Sequence, residues 1–271
     1  MDNLKFGFIQ GRMSMTPSKK ILQYFPKNNW RNEFKYAKKY GFNFIEYFGE
    51  RKFNENNPIW NKKNLKEINN LVKKNKLSNY SFCDDFFINK NLIKYKNFEK
   101  YYEKIIKNLS IINIKIYVLA LFEKSLINKK NFKHFISRIN YISKKLQKKN
   151  IKLALETNLD AKYIARLLRQ LDNKNTYIVY DTGNRLKKGN LQFKEIIKLK
   201  KYICHFHLKD KNYKGENVIL GKGKVDFKLI FKAIRLNRYK GRYAFETNRG
   251  IDPQKTMLEN KKLILKIINE L

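Results

Sequence analysis

Tyr177-Ile-Val-Tyr-Asp181-Thr-Gly-Asn184 places an apolar, aromatic run directly before an aspartate. Three other stretches repeat the pattern: Leu153-Ala-Leu-Glu156-Thr, Ile203-Cys-His-Phe-His207-Leu-Lys-Asp210 and Tyr243-Ala-Phe-Glu246-Thr. Runs of this length and composition read as parallel strands buried on both faces. Each closes on a carboxylate or an imidazole, at the end of the strand where ligands gather in parallel sheets and barrels. Side chains alternate between faces, so Ala154, Val179, His205 and Ala244 share a face with Glu156, Asp181, His207 and Glu246 respectively. This register predicts one inward layer of packing beneath one inward layer of chemistry.

Working outward from these four, strands are expected at residues 5–10, 42–47, 79–84, 115–121, 151–157, 177–181, 202–208 and 243–247. Helical periodicity separates them. Trp30, Phe34 and Ala37 make one stripe, which Gly41 ends, and Leu65, Ile68, Leu71 and Val72 make a second. Tyr101, Ile105, Leu109 and Ile112 make a third, and further helices are expected at 132–149, 161–171, 191–200, 225–236 and from 255 onward. Eight strands alternating with eight helices predict an α/β fold, a closed (β/α)8 TIM barrel. The 271 residues show no break in composition, so residues 1–271 are expected to form a single TIM-barrel domain.

The formal charge of +38, from 61 Lys+Arg against 23 Asp+Glu, would ordinarily suggest a polyanionic partner. Lysine, asparagine and isoleucine are abundant throughout, as codon bias toward AT-rich triplets produces, and charge runs are usually solvated faces. Such a field still favours a small anionic substrate. Cys83 and Cys204 form no paired spacing, so neither a metal nor a redox motif is expected from them. The start is interrupted too early for a signal peptide and no run approaches 18 uncharged apolar residues, so no membrane association and a cytoplasmic location are expected.

Taken singly, the four polar residues could be a core histidine, a capping aspartate and surface carboxylates. Four at matching positions of successive strands are better explained together. Three carboxylates converging with one imidazole repel one another unless a cation neutralises them. One divalent metal ion is expected as the cofactor, and mixed oxygen and nitrogen donors suit Mn²⁺, Mg²⁺, Co²⁺ or Zn²⁺.

The chain also resembles the xylose isomerase-like TIM-barrel superfamily, nearest to sugar phosphate isomerase/epimerase proteins. The resemblance is carried by Gln10-Gly11-Arg12, the stretch from Trp30 to Glu46, Tyr180-Asp-Thr-Gly-Asn184, His207-Leu-Lys-Asp210, Gly221-Lys-Gly-Lys-Val-Asp-Phe227 and Glu246. It implies that Glu156, Asp181, His207 and Glu246 bind the ion and that Glu156 and Glu246 are catalytic, exchanging protons with a keto sugar or sugar phosphate. Such a substrate, chelating the ion through its carbonyl and adjacent hydroxyl, has its α-proton acidified because the ion stabilises the enediolate. Compared with better-known ketose 3-epimerases, Lys162 replaces a glutamate, Asn184 a histidine and Tyr213 an arginine.

Substrate contacts are expected from Arg12, Glu46, Asn184, Lys209 and Arg249, with Asp84 a further pocket candidate. His134 reads as a helix-surface residue, His205 as a hydrogen-bonded core histidine and Asp226 as a helix cap. A dehydratase acting on a cyclic polyol ketone would share the enediolate step and is the alternative within the superfamily. Nucleic-acid binding or cleavage is the alternative from another class. Three histidines are too few for the histidine-rich zinc cluster of the superfamily's apurinic endonucleases, which argues against a nucleic-acid partner. A homo-oligomer is compatible with every one of these readings.

Overall fold

The structure is a computed structural model that describes residues 4–18, 21–187, 189 and 191–271. The first three residues, on which the signal-peptide reading begins, lie outside the described set. Eight parallel strands form a closed barrel in which the first pairs with the last: β1 (Phe6–Ile9), β2 (Phe44–Gly49), β3 (Ser78–Asp84), β4 (Ile116–Ala120), β5 (Lys152–Glu156), β6 (Thr176–Asp181), β7 (Ile203–Leu208) and β8 (Arg242–Phe245). The expected (β/α)8 barrel is therefore the observed one. Helices at Trp30–Lys39, Lys62–Lys74, Phe98–Ile111, Ile136–Gln147, Ala161–Arg169, Leu191–Leu199, Phe227–Leu236 and Pro253–Asn269 fill the alternate positions.

The strands read as apolar runs because both of their faces are covered. Every residue of β1, β2, β4 and β7 is buried, and so is the predicted stripe Tyr101, Ile105, Leu109 and Ile112. Full burial of side chains of this size contributes about 1.5–3 kcal/mol each. The helix ends follow local chemistry. Asp226 accepts the Leu229 amide, and Asp252 accepts those of Gln254 and Lys255 with Pro253 opening the helix.

Two features were not expected. A short antiparallel ribbon pairs Asp210–Lys211 with Asn217–Val218 just beyond β7. Asp210 organises the loop that follows, accepting the amides of Lys211, Gly221, Gly223 and Val225, and a Cβ on Gly223 would lie 2.1 Å from Asp210 Oδ1. In β2, the register against β3 slips between Ile45 and Tyr47, at Glu46. Irregularities of this kind re-aim side chains, and Glu46 points into the barrel. Among the described residues, no helix is long and apolar enough to cross a membrane.

Candidate functional site

Glu156 closes β5, Asp181 closes β6, His207 lies one residue from the end of β7, and Glu246 follows β8 directly. Their positions are consecutive around one arc of the barrel because β5 to β8 are neighbours in order. One donor atom from each of the four lies within 4.8 Å of every other, and all four residues are buried. His207 Nδ1 is 3.0 Å from Glu246 Oε2 and 3.7 Å from Glu156 Oε2. The predicted convergence is present.

Each carboxylate has one oxygen held in place. Glu156 Oε1 accepts Asn184 Nδ2 at 2.8 Å. Asp181 Oδ1 accepts the amides of Gly183 and Asn184. Glu246 Oε1 accepts Gln23 Nε2 at 3.1 Å and lies 2.7 Å from Lys209 Nζ. The other side of the ring is different. Asp181 Oδ2, His207 Nδ1 and Glu246 Oε2 are buried and lack a hydrogen-bond partner, although charged groups approach them to about hydrogen-bond distance without the alignment a hydrogen bond needs. Three buried donor atoms of this kind facing one another fit a cation.

Electrostatics point the same way. Burial, reinforced by repulsion from Glu246, pushes the Glu156 carboxyl up to about 8. Burial would also raise Glu246, but Lys209, His207 and Arg12 outweigh it and hold the group well below the usual carboxylate range. For His207, burial disfavours the imidazolium, yet Glu46 and the ring glutamates outweigh burial and hold it charged. Repulsion within the ring is thus relieved by the protons that Glu156 and His207 retain, while Glu246 stays ionised.

Several expected contacts sit elsewhere. Glu46 is fully buried and is not among the residues that line the cavity beside the ring: its Oε2 takes His205 Nε2 at 2.7 Å, and its Oε1 lies 2.8 Å from His207 Nε2. It therefore braces the ring histidine from beneath. His205 also meets the Arg242 carbonyl at 3.1 Å, as expected of a core histidine. Arg12 is likewise buried, donating to the Thr247 carbonyl and to Gln23 Oε1, and it is not among the residues that line the cavity. Arg249 donates through Nε and Nη1 to the carbonyls of Gly11, Ile21 and Leu22, while its Nη2 has no hydrogen-bond partner among the described residues. Asp84 turns outward to the hydroxyls of Tyr101 and Tyr117. Asn184 and Lys209 do line a cavity of about 1070 Å³ with Glu156 and Glu246.

The opposite wall comes from loops after the first four strands and includes Gln23, Phe53, Asp85 and Phe122. Sequence reading missed Gln23 and Asp85, which lie outside any strand. The adjacent Asp84-Asp85 pair was the available signal, since neighbours at a strand end face opposite ways. Lys162 and Tyr213, at the departures noted above, are exposed and lie outside this cavity.

A family model described as a xylose isomerase-like TIM barrel matches residues 34–267. An inosose dehydratase of Clostridium tetani is 27% identical over 145 residues, 44% of this chain and 48% of its own length, so the match spans about half of that relative. Among solved structures, D-psicose 3-epimerase with D-tagatose from Clostridium cellulolyticum H10 superposes with a TM-score of 0.78 at 14% identity, covering 98% of this chain and 99% of that one. The IOLI protein crystallised with a zinc atom gives 0.76 at 13% identity, covering 98% and 99%. At these identities the structural likenesses establish the fold.

Proposed function

Because the chain belongs to the xylose isomerase-like TIM-barrel family, we propose that it works as one barrel domain, a divalent-metal-dependent isomerase or epimerase of a keto sugar or keto-sugar phosphate. The observation that carries this reading is the buried ring of Glu156, Asp181, His207 and Glu246, three of which present unpartnered donor atoms, beside a sugar-sized cavity. Those four residues would hold the ion, which when bound polarises a carbonyl and stabilises the negative charge developing on its oxygen.

The proton chemistry belongs to the chain. Glu156 and Glu246 come from the two outer strands of the four-strand arc and reach the ring from its two flanks. Asn184 tethers Oε1 of one, and Gln23 with Lys209 tethers Oε1 of the other, which fixes how each carboxylate is presented to a substrate proton. One glutamate removes the proton α to the carbonyl. If the other, entering protonated, gives its own proton to the opposite face, the carbon is inverted; delivery of a proton to the former carbonyl carbon, with a proton passing from the adjacent hydroxyl to the carbonyl oxygen, isomerises the sugar. Incubation of purified protein with a panel of ketoses and ketose phosphates in D2O is expected to give metal-dependent deuterium wash-in at the α-carbon. No wash-in across the panel, with Mn²⁺ present, would sink the reading.

Glu46 enters as a positioning residue. Glu46→Gln keeps the side chain's size, but its single carbonyl can accept from only one of the two histidines. Loss of such an outer partner is expected to weaken Mn²⁺ binding about 10–100-fold. A calorimetric titration giving unchanged affinity would mean that packing alone orients His207.

The inosose dehydratase relative favours a second reading, in which proton removal is followed by loss of water from a cyclic polyol ketone. Product analysis separates the two, because only the dehydratase yields material lighter by one water. The endonuclease alternative lacks donors: His134 is exposed on a short helical turn, and His205 is committed to Glu46 and the Arg242 carbonyl.

A further inference from the structure

Asp181 has one oxygen to offer a cation, and Lys209 is already there. Its Oδ1 accepts the Gly183 amide at 2.8 Å and the Asn184 amide at 2.7 Å, while its Oδ2 lies 2.9 Å from Lys209 Nζ. The same ammonium is 2.7 Å from Glu246 Oε1, so one positive charge spans two of the ring carboxylates. Lys209 is 4% exposed. A buried ammonium is costly unless it is paired, and here it is paired twice.

The surroundings are built for this side chain. The Lys209 amide donates to Thr182 Oγ1 at 2.9 Å, and the Thr182 hydroxyl donates to the Lys209 carbonyl at 2.6 Å. A Cβ on Gly183 would lie 2.7 Å from Lys209 Cγ and 3.1 Å from its Cβ and Cδ, so the glycine is the gap through which the lysine stem passes. Asp181, Thr182 and Gly183 therefore hold in turn the head, the backbone and the stem of one residue. Like-charge repulsion explains the need: three ring carboxylates cannot lie this close without positive charge among them.

We propose that Lys209 is a built-in counter-ion of the ring: it keeps Asp181 and Glu246 in place when no divalent ion is bound, and it yields Asp181 Oδ2 when one enters. This rests on the metal-site reading above. With His207 giving up its proton to become a ligand, three carboxylates, one ammonium and one dication sum to zero, so the loaded ring is neutral and the ion is held less tightly than three carboxylates alone would hold it. The arrangement trades affinity for a ring that stays assembled without its metal.

The test uses the full chain stripped with chelator and Mn²⁺ alone as the probe, with Lys209→Met as the variant. Titration calorimetry is expected to show Mn²⁺ binding at least tenfold tighter in the variant, and the metal-free variant is expected to melt below the metal-free parent. Gly183→Ala, which pushes the stem off its track while leaving every charge in the chain, is expected to shift Mn²⁺ affinity in the same direction by a smaller factor and stands in should K209M not fold. Affinity that is unchanged or weakened overturns the counter-ion proposal and leaves the metal site standing. Absence of Mn²⁺ binding in parent and variants alike overturns the metal-site reading and this proposal with it.

Discussion

Glu246→Gln is expected to lower α-proton exchange by about 10²–10⁴-fold, the range that a positioned acid or base contributes, while a Mn²⁺ site remains. The glutamine keeps the side chain's size and can still accept Gln23 Nε2 through its carbonyl, so the loop and barrel end should not move. What it loses is the carboxylate's capacity to take a proton, and one of the two negative charges beside Lys209. Metal affinity should fall through the lost charge, so exchange is to be measured at saturating Mn²⁺, which separates an empty site from a loaded one lacking its base. Deuterium wash-in followed by NMR decides the matter. Wild-type exchange in a saturated variant would remove Glu246 from the proton path.

Arg185→Met is expected to cost about 3–5 kcal/mol of folding stability, as removing one partner of a buried ion pair does. Arg185 is 4% exposed and Glu195 6%. The guanidinium donates to Glu195 through Nε at 3.1 Å and Nη2 at 2.6 Å, and to the carbonyls of Thr157 and Leu159. Lys187, 2.7 Å from Glu195, offsets only part of the loss. Thr157 directly follows Glu156, so Arg185 also ties the turn that aims one ring glutamate. The check is the urea midpoint at unchanged slope, together with the double variant Arg185→Met/Glu195→Gln. The pair should be less destabilised than Arg185→Met alone, because no unpaired charge is left buried. A single-variant cost under about 1 kcal/mol would show the pair to be solvent-screened.

The barrel and its ring were legible because they rest on short-range pattern. Strands buried on both faces must be apolar throughout, so one polar residue at the end of such a run stands out, and four of them at one register placed Glu156, Asp181, His207 and Glu246 together. The long side chains were harder to place. Sequence puts Arg12 and Arg249 at strand ends but does not say which carbonyls will capture a guanidinium, and those carbonyls belong to a loop far away in the chain. Glu46 was recognised as inward, but its depth depends on the slip in β2 and on where two histidines from β7 reach. In Asp181-Thr-Gly-Asn184 the aspartate was legible as a ring member, but the contacts of the residues after it were not, because they lie with Lys209 and Glu156, from two other strands.

Closure of the barrel between its first and last strands sets a schedule. The contacts that steady Glu246 and the segment after it join residues 223 positions apart, Gln23 with Glu246, and 235 apart, Arg12 with Thr247. Pairings so distant in sequence form slowly. A chain still leaving the ribosome holds the first three members of the ring but lacks both the fourth and the strand that carries it. An ion taken up by the complete ring would then arrive among the last events of maturation, after the early βα units had found their shape without it.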